Sequence, residues 1–149
     1  MAATAWLFYN QAKKKIGDGT ITLDTDLFKM QLHSAASNAS TAALSVAGSV
    51  NTEIAVAGGY AAGGKTMGNI AWTIAGDPAS VKWDACDLVF TASGANLSII
   101  KFAVIHTSVG AVTSGHLLCW SRLSASEFSV TTNNTLTIQF ATAGIFTLT

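Results

Sequence analysis

A chain of 149 residues has the length of one domain and can bury a core without disulfide or metal staples. Charged residues are only 11%, against roughly 25% in an ordinary soluble domain. With zero formal net charge and Lys13, Lys14 and Lys15 offset by Asp18, Asp24 and Asp26, nucleic acid is a poor candidate partner, since a phosphate backbone requires an extended basic stripe. Mean hydropathy is +0.42, but Ala supplies much of it, and no run approaches the roughly 18 apolar residues of a membrane-spanning helix.

Two readings reconcile this composition with solubility. Either another subunit covers part of the surface, or hydroxyls and amides solvate it. The first makes assembly the working hypothesis, with neither nucleic acid nor membrane as partner.

The N-terminal residues Met1 to Asn10 carry no basic start, and their apolar stretch stops at Asn10, so they do not read as a secretory signal. Trp6, Leu7, Phe8 and Tyr9 crowd apolar side chains beside a terminus. They either complete the core or anchor the chain to a neighbour, and the low charge tilts the reading toward an anchor, with these four as candidate assembly contacts. Ala5 to Ile16 can form a helical turn or two. Lys13, Lys14 and Lys15 are offset by Asp18, Asp24 and Asp26 and read as a solvated face.

From about Leu27 onward, short runs alternate apolar with small polar residues, the period of a strand with one buried face. Phe28, Met30 and Leu32 set the first core-facing row; Ile70, Trp72 and Ile74 another; Leu136, Ile138 and Phe140 a third. Between the first two, Ser40 to Ala47 is an Ala-rich segment with Ser40 or Thr41 as N-cap and Gly48 as terminator, which predicts a short helix. Lys101 to His106 is apolar on both alternating faces and reads as a central strand. Cys86 and Cys119 sit in apolar text and read as small buried hydrophobes.

Turn-forming clusters separate the runs: Gly17-Asp18-Gly19, Gly58-Gly59, Gly63-Gly64, Gly76-Asp77-Pro78, Ser93-Gly94, Asn133-Asn134 and Gly144. The predicted fold is all-β, an antiparallel β-sandwich of jelly-roll type with one or two short helical turns, and residues 1–149 form a single domain.

Gly59-Tyr60-Ala61-Ala62-Gly63-Gly64-Lys65-Thr66 satisfies the phosphate-loop pattern residue for residue. That chemistry needs a helix N-terminus behind the glycines, whereas Met67 to Ile74 alternates with period two. No apolar strand ending in a metal-binding Asp follows. The loop is therefore read as a glycine-rich hairpin connection that binds no nucleotide.

His33, His106 and His116 share no metal-ligand spacing, and neither Cys forms a CxxC pair. His106 lies on the apolar face of its strand and reads as structural. Asp24 with Asp26, and Asp84 with Asp87, read as turn carboxylates, too few in oxygen ligands for Ca²⁺. No Gly-x-Ser-x-Gly elbow occurs. No catalytic, metal-binding or cofactor-binding residue is assigned, and the chain is expected not to be an enzyme.

The order of segments carries a resemblance. Ala12-Lys13-Lys14-Lys15-Ile16-Gly17-Asp18-Gly19-Thr20-Ile21, then Leu23 to Leu32, then Asn51-Thr52-Glu53 leading to the glycine-rich stretch, and finally Leu136 to Phe140 before Gly144-Ile145-Phe146-Thr147-Leu148, resemble a family of small tailed-bacteriophage virion proteins. Those placed on particles look like capsid decoration or cement proteins, or the base of a head fibre. The resemblance implies a homo-oligomeric, non-enzymatic virion protein made in the host cytoplasm, bound to the major capsid protein on the outer surface of the head. The alternative is a tail- or fibre-associated β-sandwich module that binds a host-surface glycan, which calls for an exposed aromatic cluster with adjacent Asn or Asp.

Overall fold

The computed structural model describes residues 5–75, 80–108 and 114–148. In chain order the elements are β1 (Leu7–Phe8), α1 (Asn10–Gly17), β2 (Phe28–His33), β3 (Lys65–Thr66), β4 (Ala71–Ile74), β5 (Val81–Asp84) and β6 (Leu88–Thr91). They continue with β7 (Leu97–Ile100), β8 (Phe102–Thr107), β9 (Leu117–Arg122), β10 (Phe128–Val130), β11 (Thr135–Ile138) and β12 (Phe146–Leu148). The fold is all-β and antiparallel with one short helix, as the alternation predicts.

The largest sheet runs β1-β9-β8-β2-β3. Its central strand β8 is buried along its whole length, the outcome expected of a run apolar on both faces. Register places Phe28, Met30 and Leu32 opposite Thr107, Ile105 and Ala103. This is one face of the sheet. Gln31 and His33 lie opposite Val104 and Phe102 on the other.

The first face meets a three-stranded sheet, β12-β5-β4. Trp83 is fully buried there. Its ring centroid lies 4.9 Å from Phe28 and 5.3 Å from Phe146, and its indole N–H donates to the Leu23 carbonyl at 2.8 Å. An indole needs such an acceptor when buried. Two-stranded pairs, β6 with β11 and β7 with β10, complete the β structure of the described residues.

α1 starts where the alternation stops. Ala12 is its buried contact, Lys14 and Lys15 sit in the last turn, where cations favour the helix dipole, and Lys14 pairs with Asp18 at 2.7 Å.

Four expectations need correction. Ser40 to Ala47 is not a helix: Thr41 and Leu44 amides close three-residue-back turns, and the Leu117 amide takes the Ser45 carbonyl, so this backbone is spent on turns and on β9. A 3₁₀ turn follows at Ala47–Ser49. Ile74, read as core, is 70% exposed. Its phase is right, because Trp72, Trp83 and Phe146 form one cross-strand row and Ile74, Val81 and Leu148 the next, but the second row overhangs the edge of the core. Trp72 and Phe140 are accordingly half-buried. Cys86 is exposed in the β5–β6 connection, whereas Cys119 is buried. The turn Gly76-Asp77-Pro78 lies outside the described residues.

Trp83→Ala is expected to cost about 3–5 kcal/mol and Trp72→Ala clearly less, as urea midpoints will show. Equal losses would contradict the inner and outer rows.

Candidate functional site

The glycine-rich stretch leads into a strand. Lys65–Thr66 is β3, paired with Lys29 and Met30, so no helix N-terminus stands behind the glycines. The amide of Gly63 is taken instead by a carboxylate of the chain itself, donating to Glu53 Oε1 at 2.8 Å. The Tyr60 hydroxyl donates to the same oxygen at 2.6 Å, and Gln31 Nε2 reaches Glu53 Oε2 at 3.4 Å. The Lys65 ammonium donates to the Val89 carbonyl.

This loop lies along the outer edge of β2. The Leu32 amide donates to the Tyr60 hydroxyl, and the Ile54 amide to the Leu32 carbonyl. Gly64 has φ +79° with its α-carbon against the Met30–Gln31 peptide, where any Cβ would collide with backbone. The glycines are thus required by close approach and a left-handed backbone. Between the loop and Phe90, Thr91 and Leu97 lies an open hollow of about 380 Å³.

His33 and His106 are buried and held by hydrogen bonds. His33 Nδ1 donates to the Asn51 carbonyl at 3.0 Å, with Nε2 at 3.4 Å from Gln31 Oε1. His106 Nδ1 donates to the Thr107 carbonyl at 2.9 Å, with Nε2 at 3.4 Å from the Gly63 carbonyl. Burial drives the His33 pKa down to about 4, against the opposing Asn51 hydrogen bond, and lowers that of His106 as well. His116 Nδ1 lies 2.9 Å from Lys15 Nζ.

Asp26 and Asp84 serve local turns, accepting from the Thr22 and Ala85 amides, whereas Asp87 ties distant segments together by accepting from the Phe140 amide. Burial pushes the Cys119 thiol pKa far up, which leaves it an unreactive core residue. Among the described residues, no group of three or more His, Cys, Asp or Glu converges as metal ligands would.

The N-terminal quartet divides. Tyr9 is fully buried, and its hydroxyl donates to the Ala39 carbonyl at 2.7 Å, so it is a core residue and not a surface contact. Burial also raises its pKa strongly. Trp6 and Phe8 are half-buried against Phe140 and Phe146, at centroid distances of 5.9 and 4.5 Å. Leu7, alternating to the opposite side of β1, is 48% exposed.

Leu7 pairs with Trp120 of β9 and stands between two open hollows. One, of about 290 Å³, is bounded by Ser40, Lys101, Phe102, Trp120 and Arg122. The other, of about 530 Å³, includes Trp6, Phe8, Lys13, Ala42 and Trp120 in its wall. Trp120 Nε1 is shielded from solvent and has no hydrogen-bond partner, an arrangement that costs roughly 1–3 kcal/mol. Sequence reasoning did not join Trp120, Lys101 and Arg122 to Leu7: they lie more than ninety positions away, and strand register sets Trp120 opposite Leu7 and Arg122 opposite Phe102.

Comparison with protein-family models, curated proteins and solved structures finds no match to this chain.

The histidines predict a pH dependence. An unfolded His titrates near 6.5, so between that value and about 4 the unfolded chain binds a proton that buried His33 refuses. Stability is therefore full above about pH 6.5 and falls as the pH drops through this window, by roughly 1.4 kcal/mol per unit. Urea midpoints at pH 7.5, 6 and 5 should fall in that order, and His33→Gln should flatten the trend. A pH-independent midpoint would contradict the assignment.

Proposed function

We propose that this protein is a non-enzymatic structural component of a tailed-phage virion: a capsid decoration or cement protein that binds the outer surface of the major capsid protein lattice, as a homo-oligomer, and stabilises the head. The all-β fold, with the five-stranded sheet packed on β12-β5-β4, supports reading the module as a β-sandwich. Its mechanism is adhesion.

The observation that carries this reading is Leu7. An apolar side chain stands half-exposed on a strand held from beneath by Phe8 and Tyr9, between hollows walled by Trp6, Phe8, Phe102 and Trp120. A rigid apolar projection ringed by partly buried aromatics has the make-up of an interface centre. Repetition around a symmetric oligomer multiplies modest contacts into tight attachment.

The glycan-binding alternative draws less support, because no Trp, Tyr or Phe of the chain is fully exposed.

Leu7→Asp should leave the melting temperature within a degree or two of the parent and weaken attachment to undecorated phage heads by roughly thirty-fold, the equivalent of about 2 kcal/mol. Pelleting of the two proteins with such heads, alongside melting curves, measures both. A point substitution is the right probe, since removal of residues 1–10 would also strip Phe8 and Tyr9 from the core. Unchanged attachment would remove Leu7 from the interface, and failure of the parent protein to bind heads would remove the virion reading.

A further inference from the structure

We infer that the Leu7 face recognises an acidic, apolar-tipped peptide segment of its partner, one in which a carboxylate side chain flanks a leucine-like residue. The inference deepens the assembly reading, on which it rests for the kind of occupant.

Charge is the first argument. Among the described residues, Lys13 and Lys101 stand with Arg122 in the walls of the two hollows, and no acidic residue does. In a chain of zero net charge, this segregation makes one positive rim around one apolar projection. Several acidic residues are engaged elsewhere: Asp18 pairs with Lys14, Asp26 and Asp87 accept backbone amides, Glu53 holds the glycine-rich loop, and Glu127 accepts from the Ala35 amide.

The cations are also positioned. Lys101 Nζ lies 5.8 Å from the centre of the Phe102 ring, and Lys13 Nζ lies 5.5 Å from that of Phe8. Each ammonium is held over an aromatic face beside Leu7 and away from any carboxylate of its own chain.

Trp120 supplies the second argument. Its indole nitrogen is a donor without an acceptor, and the residue borders both hollows. A buried donor of this kind calls for an acceptor; the N–H is shielded as the ring stands, and a turn of the Trp120 ring as a segment seats beside Leu7 brings it to a carboxylate or peptide carbonyl. Cations and an unpaired donor ask for the same chemistry, an anionic oxygen, while Leu7 and Phe102 ask for an apolar neighbour to it. An acidic peptide carries both on one strand. A bare phosphate or nucleic-acid backbone carries only the first.

The test uses the full chain labelled with ¹⁵N, titrated with the blocked peptide Leu-Asp-Leu-Asp-Leu and with its lysine counterpart, while the four tryptophan indole signals are followed. The Trp120 signal is identified by its loss in Trp120→Phe. It should move saturably with the acidic peptide and stay still with the basic one. Apparent affinity should weaken at least tenfold in Lys13→Glu/Lys101→Glu and in 0.5 M salt, as a screened rim requires, whereas Lys14→Glu, on the same helix but outside the hollows, should bind like the parent. A Trp120 signal that does not move overturns the inference. So does an equal response to the lysine peptide, to inorganic phosphate or to a short oligothymidylate, which would indicate no peptide selectivity.

Assays on undecorated heads separate the two readings. Peptide binding by a protein that ignores heads supports the acidic-peptide site and removes the virion role. Unimpaired head binding by Lys13→Glu/Lys101→Glu overturns the acidic-peptide site and leaves the virion role standing.

Discussion

The fold depends on one constraint: the centre of the five-stranded sheet is buried on both faces, with β8 inaccessible from end to end. A one-sided sheet can leave its polar side chains to water. Here Gln31, His33 and His106 lie inside, so each polar atom must find a protein partner or cost stability. The segment from Asn51 to Gly63 supplies these partners: the Asn51 carbonyl for His33, Glu53 for Gln31, and the Gly63 carbonyl for His106. The connections over the sheet are therefore part of the core chemistry. The same burial that demands these partners depresses both histidine pKa values.

The loop that resembles a phosphate cradle follows from this constraint. To reach the β2 edge it must bring Gly64 against the Met30–Gln31 peptide and turn through positive φ at Gly58, Gly59, Gly63 and Gly64. Close approach and left-handed backbone select glycine, as they do in a nucleotide-binding loop. What differs is the acceptor offered to the freed amide. Glu53 provides a carboxylate oxygen from within the chain, where a nucleotide-binding loop would meet a phosphate. A pattern of residue types records the backbone requirement and is silent about what fills it.

The same distinction marks what was legible in the sequence. Period-two alternation located β2, β8 and β11, and the double-sided apolar text of Lys101 to His106 identified the central strand, because side-chain phase is a local property. Where the core ends is not local. Ile74 continues the phase of Trp72 but overhangs, since exposure depends on whether Phe8 and Phe28 reach beneath it. Ser40 to Ala47 has the composition of a helix, yet its carbonyls are captured by Asn10 and by β9, partners distant in the chain. At the N-terminus, alternation separates Leu7 from Phe8, but only the docking of Tyr9 against Ala39 decides that the latter end of the quartet turns inward.

How such a domain can associate is limited by its edges. An exposed strand edge invites pairing with another chain, and natural sheets suppress this with very short edge strands and covering loops. The largest sheet does both: β1 and β3 are two residues each, and beyond β3 the β2 edge is closed by Ile54 and Tyr60. Extended strand addition to this sheet is thereby disfavoured. Under the proposed assembly, contact would come from side chains projecting off the sheet, and at the β1 end those are Leu7 and the neighbouring Lys13 and Lys101. Because β1 is too short to hold itself, its position is inherited from Phe8 and Tyr9 in the core. Rigidity at Leu7 is therefore a consequence of the neighbouring residues facing inward, and the half of the aromatic cluster that cannot touch a partner is what fixes the half that can.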